Sequence, residues 1–144
     1  MGHTRILLAD DHEVVRAGYR RLLESTPDME VIAEAANGEE AYSQYCELAP
    51  DVMVMDLTMP GMGGLEASRR ILAHDSRAKI LVFSVHENEV MLNRALDLGV
   101  LGYISKRSAS QVMIEAVRKV AAGVVYVGQE MTPCLVKRAS SPDN

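Results

Sequence analysis

Tryptophan is absent, phenylalanine occurs once, and aromatic residues make up only 4% of the 144 residues. Core packing therefore falls to Leu, Val, Ile, Ala and Met, and the 48% hydrophobic content is enough to fill the single core expected of one domain. Cysteine is scarce as well: Cys46 and Cys134 lie far apart and match no metal-ligand spacing, which excludes a disulfide-stapled scaffold and a zinc module. They read as two reduced thiols of a cytosolic protein. No apolar run is long enough to span a bilayer, and Met1-Gly2-His3-Thr4 lacks the apolar stretch of a signal peptide, so a cytoplasmic protein without membrane contact is expected. An excess of basic charge is missing too. The formal net charge is −5, which weighs against a chain that wraps nucleic acid by itself. There is no internal repeat.

What is present is a regular alternation of short apolar runs and amphipathic stretches. Strands are expected at Arg5–Ala9, Glu30–Ala35, Val52–Met55, Lys79–Phe83 and Gly102–Ser105. Between the first two, Val15, Tyr19, Leu22 and Leu23 recur at helical spacing until Thr26-Pro27-Asp28 breaks the pattern. Ala41, Tyr45 and Leu48 mark the next helix, opened by the turn Asn37-Gly38 and ended by Pro50. Leu65, Ile71 and Leu72 belong to a third, after the Met-, Pro- and Gly-rich loop Thr58–Gly63. Met91, Ala95 and Leu98 belong to a fourth, closed by Gly99. A fifth helix runs from about Ser110 to Ala122 with Met113, Val117 and Val120 inward. Strict alternation implies right-handed crossovers and a parallel sheet covered on both faces. The expected fold is a five-stranded, doubly wound α/β domain with flavodoxin-like order 2-1-3-4-5, from about Thr4 to Gly123. Past it the rhythm is lost. Val124–Val127 is expected to be extended, Thr132-Pro133 to start a short helix, and Ala139–Asn144 to be a flexible linker.

Two of the buried runs end in carboxylates: Asp10-Asp11 after the first strand and Asp56 after the third. In such sheets the binding crevice lies beyond the carboxyl ends of the strands, where the winding direction switches. The order 2-1-3-4-5 brings these three acids together there. Neighbouring like charges disfavour ionisation, so the cluster reads as a divalent-metal site in which one carboxylate could also be a nucleophile. The fourth strand delivers Ser84 to the same edge and the fifth delivers Lys106. Metal, nucleophile, hydroxyl and ammonium together suit phosphoryl chemistry. Taken singly each residue has a plainer reading. Asp10 and Asp11 could be a helix cap and its neighbour, Asp56 a strand-end turn residue, and Ser84 a cap before Glu87. Tyr103 could be a core ring with a wet hydroxyl, and Lys106 a solvated charge. His12 and His86 fit no ligand spacing and read as rim residues that tune rates. His3 and His74 read as surface, and Met59 and Met62 as loop packing.

The motifs Asp10-Asp11-His12, Asp56-Leu57-Thr58-Met59-Pro60-Gly61-Met62-Gly63-Gly64, Phe83-Ser84-Val85-His86 and Gly102-Tyr103-Ile104-Ser105-Lys106 stand in this order on these elements. Here the sequence resembles the receiver domain of bacterial two-component response regulators, over roughly Thr4–Gly123. The resemblance implies that Asp56 is the phosphoacceptor. It implies Mg²⁺ held by Asp11, Asp56 and the backbone carbonyl of Thr58, with Asp10 acting through a bound water. It makes Lys106 the partner of the phosphoryl oxygens, and Ser84 and Tyr103 the paired switch residues. The stretch Ser84 to Lys106 is then the bistable element. The opening acids and the Gly102-Tyr103 stretch look most like NarL/FixJ-type transcription regulators, in which a linker and a LuxR-type helix-turn-helix domain follow. On that likeness residues 4–123 are the receiver, 124–144 are linker or the start of an interdomain segment, and the DNA-binding output domain is absent. The implied partners are a sensor histidine kinase, a second copy on phosphorylation, and DNA only through the missing domain. The implied chemistry is self-phosphorylation from phosphodonors and autodephosphorylation, not enzymatic turnover of a substrate. One position departs from the family: many receivers have a cis-proline after the lysine, whereas here Arg107 follows Lys106 and a trans bond is expected.

Three alternatives stand beside this reading. A stand-alone receiver would act by protein–protein contact, but a minimal receiver has no use for Val124–Asn144. A Mg²⁺-dependent phosphohydrolase of the haloacid-dehalogenase-like pattern wants a second Asp two residues after its nucleophile, where Thr58 stands, and a cap domain for substrate. A flavodoxin-like cofactor binder fits least, because a carboxylate cluster repels a flavin phosphate.

Overall fold

The computed structural model describes residues 3–139. Its order is β1 (Thr4–Ala9), α1 (Glu13–Leu23), β2 (Met29–Ala35), α2 (Gly38–Leu48), β3 (Val52–Asp56) and α3 (Gly64–His74). Then come β4 (Ile80–Ser84), α4 (Glu89–Leu98), β5 (Gly102–Ser105), α5 (Ala109–Ala121), β6 (Tyr126–Val127), a 3₁₀ turn (Gln129–Met131) and α6 (Thr132–Ala139). All strands pair in parallel, in the order β2-β1-β3-β4-β5-β6. The first five follow the expected 2-1-3-4-5. The sheet has one strand more than the five expected, because Tyr126 and Val127 pair with Gly102 and Tyr103. Two residues are too short a run to leave a periodic trace.

The pleat divides the core in two. Leu7, Ala9, Met53, Met55, Ile80 and Val82 face α2, α3 and α4, which supply Ala41, Tyr45, Ala67, Ile71, Leu92 and Ala95. Ile6, Leu8, Val52, Val54, Leu81 and Phe83 face α1 and α5, which supply Leu23, Met113, Val117 and Val120. Alternate residues of one strand thus serve opposite layers, and near-continuous apolar runs are what this requires. The lone phenylalanine, Phe83, packs edge-on against Tyr19 of α1, with ring centroids 5.1 Å apart.

Local signals set the helix ends. Asn37 caps α2 by accepting from the Glu40 N–H, and the Glu40 carboxylate accepts in return from the Ala36 N–H. Asn88 caps α4 through the Met91 N–H, and Gly99 closes that helix at φ +109°. Two helix-face expectations shift. Leu92 rather than Leu98 is the fully buried leucine of α4. Val15 of α1 is 42% exposed, beside Val14 at 85%. Both valines lie in the first turn of α1, where their helical spacing meets no core.

At the opposite end Arg118 of α5 bonds to Thr26 and Asp28 in the turn before β2. Its guanidinium and the Thr26 hydroxyl hold the Asp28 carboxyl down at about 2, from an ordinary 3.8. A depressed carboxylate adds stability above its unfolded pKa and loses it as pH falls through the folded value. Arg118→Ala should therefore melt below the parent near neutral pH. The gap should narrow as pH falls below about 4 and close near the folded pKa of about 2. Melting curves across that range check this, and a gap that widens in acid would contradict it.

Among the described residues no helix is long and apolar enough to cross a membrane. Met1, Gly2 and residues 140–144, including most of the expected linker Ala139–Asn144, lie outside the described residues.

Candidate functional site

Strand register brings the site together. Ala9 lies opposite Met55, Asp56 opposite Phe83, and Ser84 opposite Ser105, so four strands end level at one edge. Asp10 and Asp11 follow β1, Asp56 ends β3, Ser84 ends β4 and Lys106 follows β5.

Asp56 is fully buried, and its two oxygens have separate partners. Oδ1 accepts from the Thr58 N–H at 3.0 Å, and Oδ2 accepts from Lys106 Nζ at 2.8 Å. Burial pushes the Asp56 carboxyl above its ordinary pKa, while Lys106 and the Thr58 N–H oppose the shift. Burial acts to lower Lys106, but its bond to Asp56 and the attraction of the Asp56 and Asp10 carboxylates together outweigh that and raise it, so the ammonium stays charged. Lys106 also lies 5.6 Å above the Phe83 ring, and its backbone N–H donates to the Ser84 carbonyl. The Lys106–Arg107 peptide is trans, as expected.

Asp10 is also fully buried. Its Oδ1 accepts from the His12 N–H at 2.8 Å, and its Oδ2 has no hydrogen-bond partner among the described residues. An orphaned buried carboxylate oxygen beside two further carboxylates is the donor set of a hard divalent cation. Ligand atoms of Asp10, Asp11, His12 and Asp56 all lie within 4.8 Å of one another, so the cluster could hold a metal ion. His12 reaches this cluster from the rim, its side chain 64% exposed. Its Nδ1 is 3.3 Å from Asp11 and 3.4 Å from Asp10. His12 is also the residue at the N-cap position of α1, without a side-chain cap bond, so Asp10 and Asp11 are not the helix cap that their plainer reading supposes.

Ser84 Oγ accepts from the His86 N–H at 2.9 Å, and Tyr103, wholly buried, donates its hydroxyl to the His86 carbonyl at 2.8 Å. The two expected switch residues thus grip the same β4–α4 loop residue. A second grip holds that loop. Arg107 forms a two-pronged bond to Glu87 at 2.8 and 2.7 Å, and Ser105 donates to the same carboxylate. It ties the loop after β4 to the loop after β5. Glu87 and Arg107 belong to no periodic pattern, and only the pairing of β4 with β5 makes them neighbours.

The sequence profile of the response regulator receiver domain matches residues 6–118. The chain belongs to the response regulator receiver family. Receiver domains are signalling modules, and response regulators of two-component systems interact with sensor kinases. The chain is 38% identical over 138 residues to the response regulator UvrY of Escherichia coli K12, matching 96% of this chain and 63% of UvrY. It is 36% identical over 140 residues to the response regulator GacA of Pseudomonas protegens, matching 97% of this chain and 66% of GacA. It thus spans somewhat under two thirds of these relatives' length. Among solved structures, a LuxR-family two-component response regulator from Aurantimonas superposes with a TM-score of 0.92 at 39% identity, covering 97% of this chain and all of that one.

Proposed function

We propose that this receiver is a phosphorylation-driven switch with Asp56 as its acceptor. The observation that carries the reading is the buried Asp56 carboxylate held between an ammonium and a backbone N–H, beside the unpartnered oxygen of Asp10. An Asp56 oxygen attacks the phosphorus of the donor. A new O–P bond forms as the bond to the donor's leaving group breaks, and the electron pair departs with that group: the imidazole of a sensor kinase or the acetate of acetyl phosphate. Lys106 loses its bond to the free carboxylate and takes up a phosphoryl oxygen instead. Asp11, Asp56 and the backbone carbonyl of Thr58 would hold Mg²⁺, with Asp10 acting through a bound water. When bound, the ion supplies positive charge that offsets the charge of the phosphoryl oxygens. Water later hydrolyses the acyl phosphate. On this reading the chain turns over no separate substrate.

Phosphorylation replaces one negative charge by about two. A close contact with that charge is worth about 4 kcal/mol at an effective dielectric near 20, before desolvation. Inverting a two-state equilibrium takes about 5.5 kcal/mol. New bonds from Lys106 and Ser84 are of that size, and both residues sit at the ends of the segment Ser84–Lys106, which we take as the moving element. The length of the relatives and the likeness to a LuxR-family response regulator of Aurantimonas support a parent protein that regulates transcription through a DNA-binding domain, with residues 4–123 as receiver and 124–144 leading away from it. Dimerisation on phosphorylation and a cytoplasmic location belong to the same reading.

With Mg²⁺ and acetyl phosphate the chain should gain one phosphoryl mass, mapped to the peptide that contains Asp56. Asp11→Ala should lower Mg²⁺ affinity by more than the roughly 10–100-fold typical of losing an outer-shell partner. Asp10→Ala should lower it less. A chain that stays at its parent mass would refute the function. An Asp11 variant that titrates with Mg²⁺ like the parent would refute the ligand set alone.

A further inference from the structure

The residues after α5 lie against the switch. Gly128 N–H donates to the Tyr103 carbonyl at 2.9 Å, and Val127 pairs with Tyr103 across β5 and β6. Met131 is fully buried in the core layer that holds Tyr103, and Cys134 of α6 packs against that layer. Helix α6 then lies along α4. Arg138 donates to Asn93 at 3.0 Å and to Asp97 at 2.8 Å, and Lys137 pairs with Glu89, the first residue of α4, at 3.0 Å. A line of direct contacts therefore runs from Asp56 through Lys106 and Ser84 to His86 and Tyr103, and from there to β6 and α6.

We propose that α6 is a latch on the outer face of α4, closed while Asp56 is unmodified and released when it carries a phosphoryl group. This rests on the reading of Asp56 as acceptor and assigns α6 as the element that reports its state. Three observations make the latch releasable. Its two ion pairs, Arg138–Asp97 and Lys137–Glu89, are exposed, and such pairs bind weakly. Its eight residues are too few to hold a helix without the receiver beneath. A groove of about 440 Å³, lined by Asn88, Glu89, Val90, Pro133, Cys134 and Lys137, leaves the seam unfilled where α4 begins. The trigger is local. Turning the Ser84 hydroxyl toward a phosphoryl oxygen takes it from the His86 N–H. The loop His86–Asn88 is then freed from one of its anchors, and Glu89 at its end moves relative to Lys137.

The two cysteines provide the test. Cys46 on α2 is exposed, whereas Cys134, on the latch itself, is partly covered by the receiver layer it docks against. Thiol labelling of the full chain, read residue by residue by mass, reports undocking at Cys134 with Cys46 as internal reference. Beryllofluoride with Mg²⁺ serves as an equilibrium mimic of the phosphoryl group. It should speed Cys134 labelling about tenfold, within the usual range of coupling factors, and leave Cys46 unchanged. Arg138→Ala and Asp97→Asn should each speed Cys134 without beryllofluoride. By reciprocity each should also tighten beryllofluoride binding, which a merely structural contact would not do. Saturating beryllofluoride with an unchanged or slower Cys134 rate would overturn the latch and leave the acceptor reading intact. Absence of beryllofluoride binding to the parent chain would overturn both.

Discussion

Asp56→Asn should take no phosphoryl group from acetyl phosphate at any Mg²⁺ concentration, while remaining folded. The carboxamide oxygen still accepts from the Thr58 N–H at the site where Asp56 Oδ1 does so at 3.0 Å. It lacks the anionic electron pair that forms the bond to phosphorus, so the loss should be complete rather than graded. Stability should change little. Burial disfavours the charged form of Asp56, as its raised pKa records, so a neutral isostere relieves that strain on the fold. Against this, Lys106 loses its anionic partner, but its side chain is 23% exposed and can turn to water. Intact-mass measurement beside a melting curve separates the two effects. Labelling of the Asn variant at the parent rate would move the acceptor elsewhere, and Asp11 would be the first place to look.

The parts of the fold that were legible in the sequence are those where burial acts on a whole element. A strand covered on both faces must be apolar throughout, so Ile6–Ala9, Val52–Met55 and Ile80–Phe83 declare themselves. The acids that follow the first two stand out because a buried run has no other reason to end in charge. Elements that gain their structure from a neighbour were harder to read. The pair Tyr126–Val127 becomes a strand only because β5 presents a free edge, and α6 is marked in sequence by little more than Pro133 in its first turn. Helix faces follow the same division. Met113, Val117 and Val120 are buried as their spacing implies, whereas Val15 repeats at the right interval and yet meets solvent in the first turn of α1. At the site the individual acids were readable, but contacts between loops were not. The Glu87–Arg107 clasp depends on the pairing of β4 with β5, and the approach of His12 to Asp10 and Asp11 depends on the local turn of the chain into α1.

Gly64→Ala should be the most damaging single-methyl change in the loop after Asp56, and Gly63→Ala next to it should be nearly silent. Gly64 opens α3, and its N–H donates to the Leu57 carbonyl at 2.9 Å, which presses the helix start against the end of β3. A Cβ there would lie 2.4 Å from the Asp56 carbonyl oxygen and 2.8 Å from Leu57 Cα. Both are backbone atoms of a buried strand end, so no side chain can swing aside and the helix must move. Overpacking of this kind costs about 3 kcal/mol, the upper part of the usual range. For a domain of this size that is about 10 °C in melting temperature. At Gly63 the nearest atom to an added Cβ is the Leu57 carbonyl oxygen at 3.5 Å, an ordinary contact, and φ is −75°, so alanine fits. Its effect should stay within about 0.5 kcal/mol. The damage at Gly64 should also reach function, because the atom in the way is the carbonyl of Asp56 itself. A displaced α3 pulls on the residue whose carboxylate must stay within reach of Lys106. Phosphorylation of Gly64→Ala, measured below its melting range, should therefore be slower than that of Gly63→Ala. Equal melting temperatures for the two variants would mean that α3 sits less tightly on β3 than these distances require.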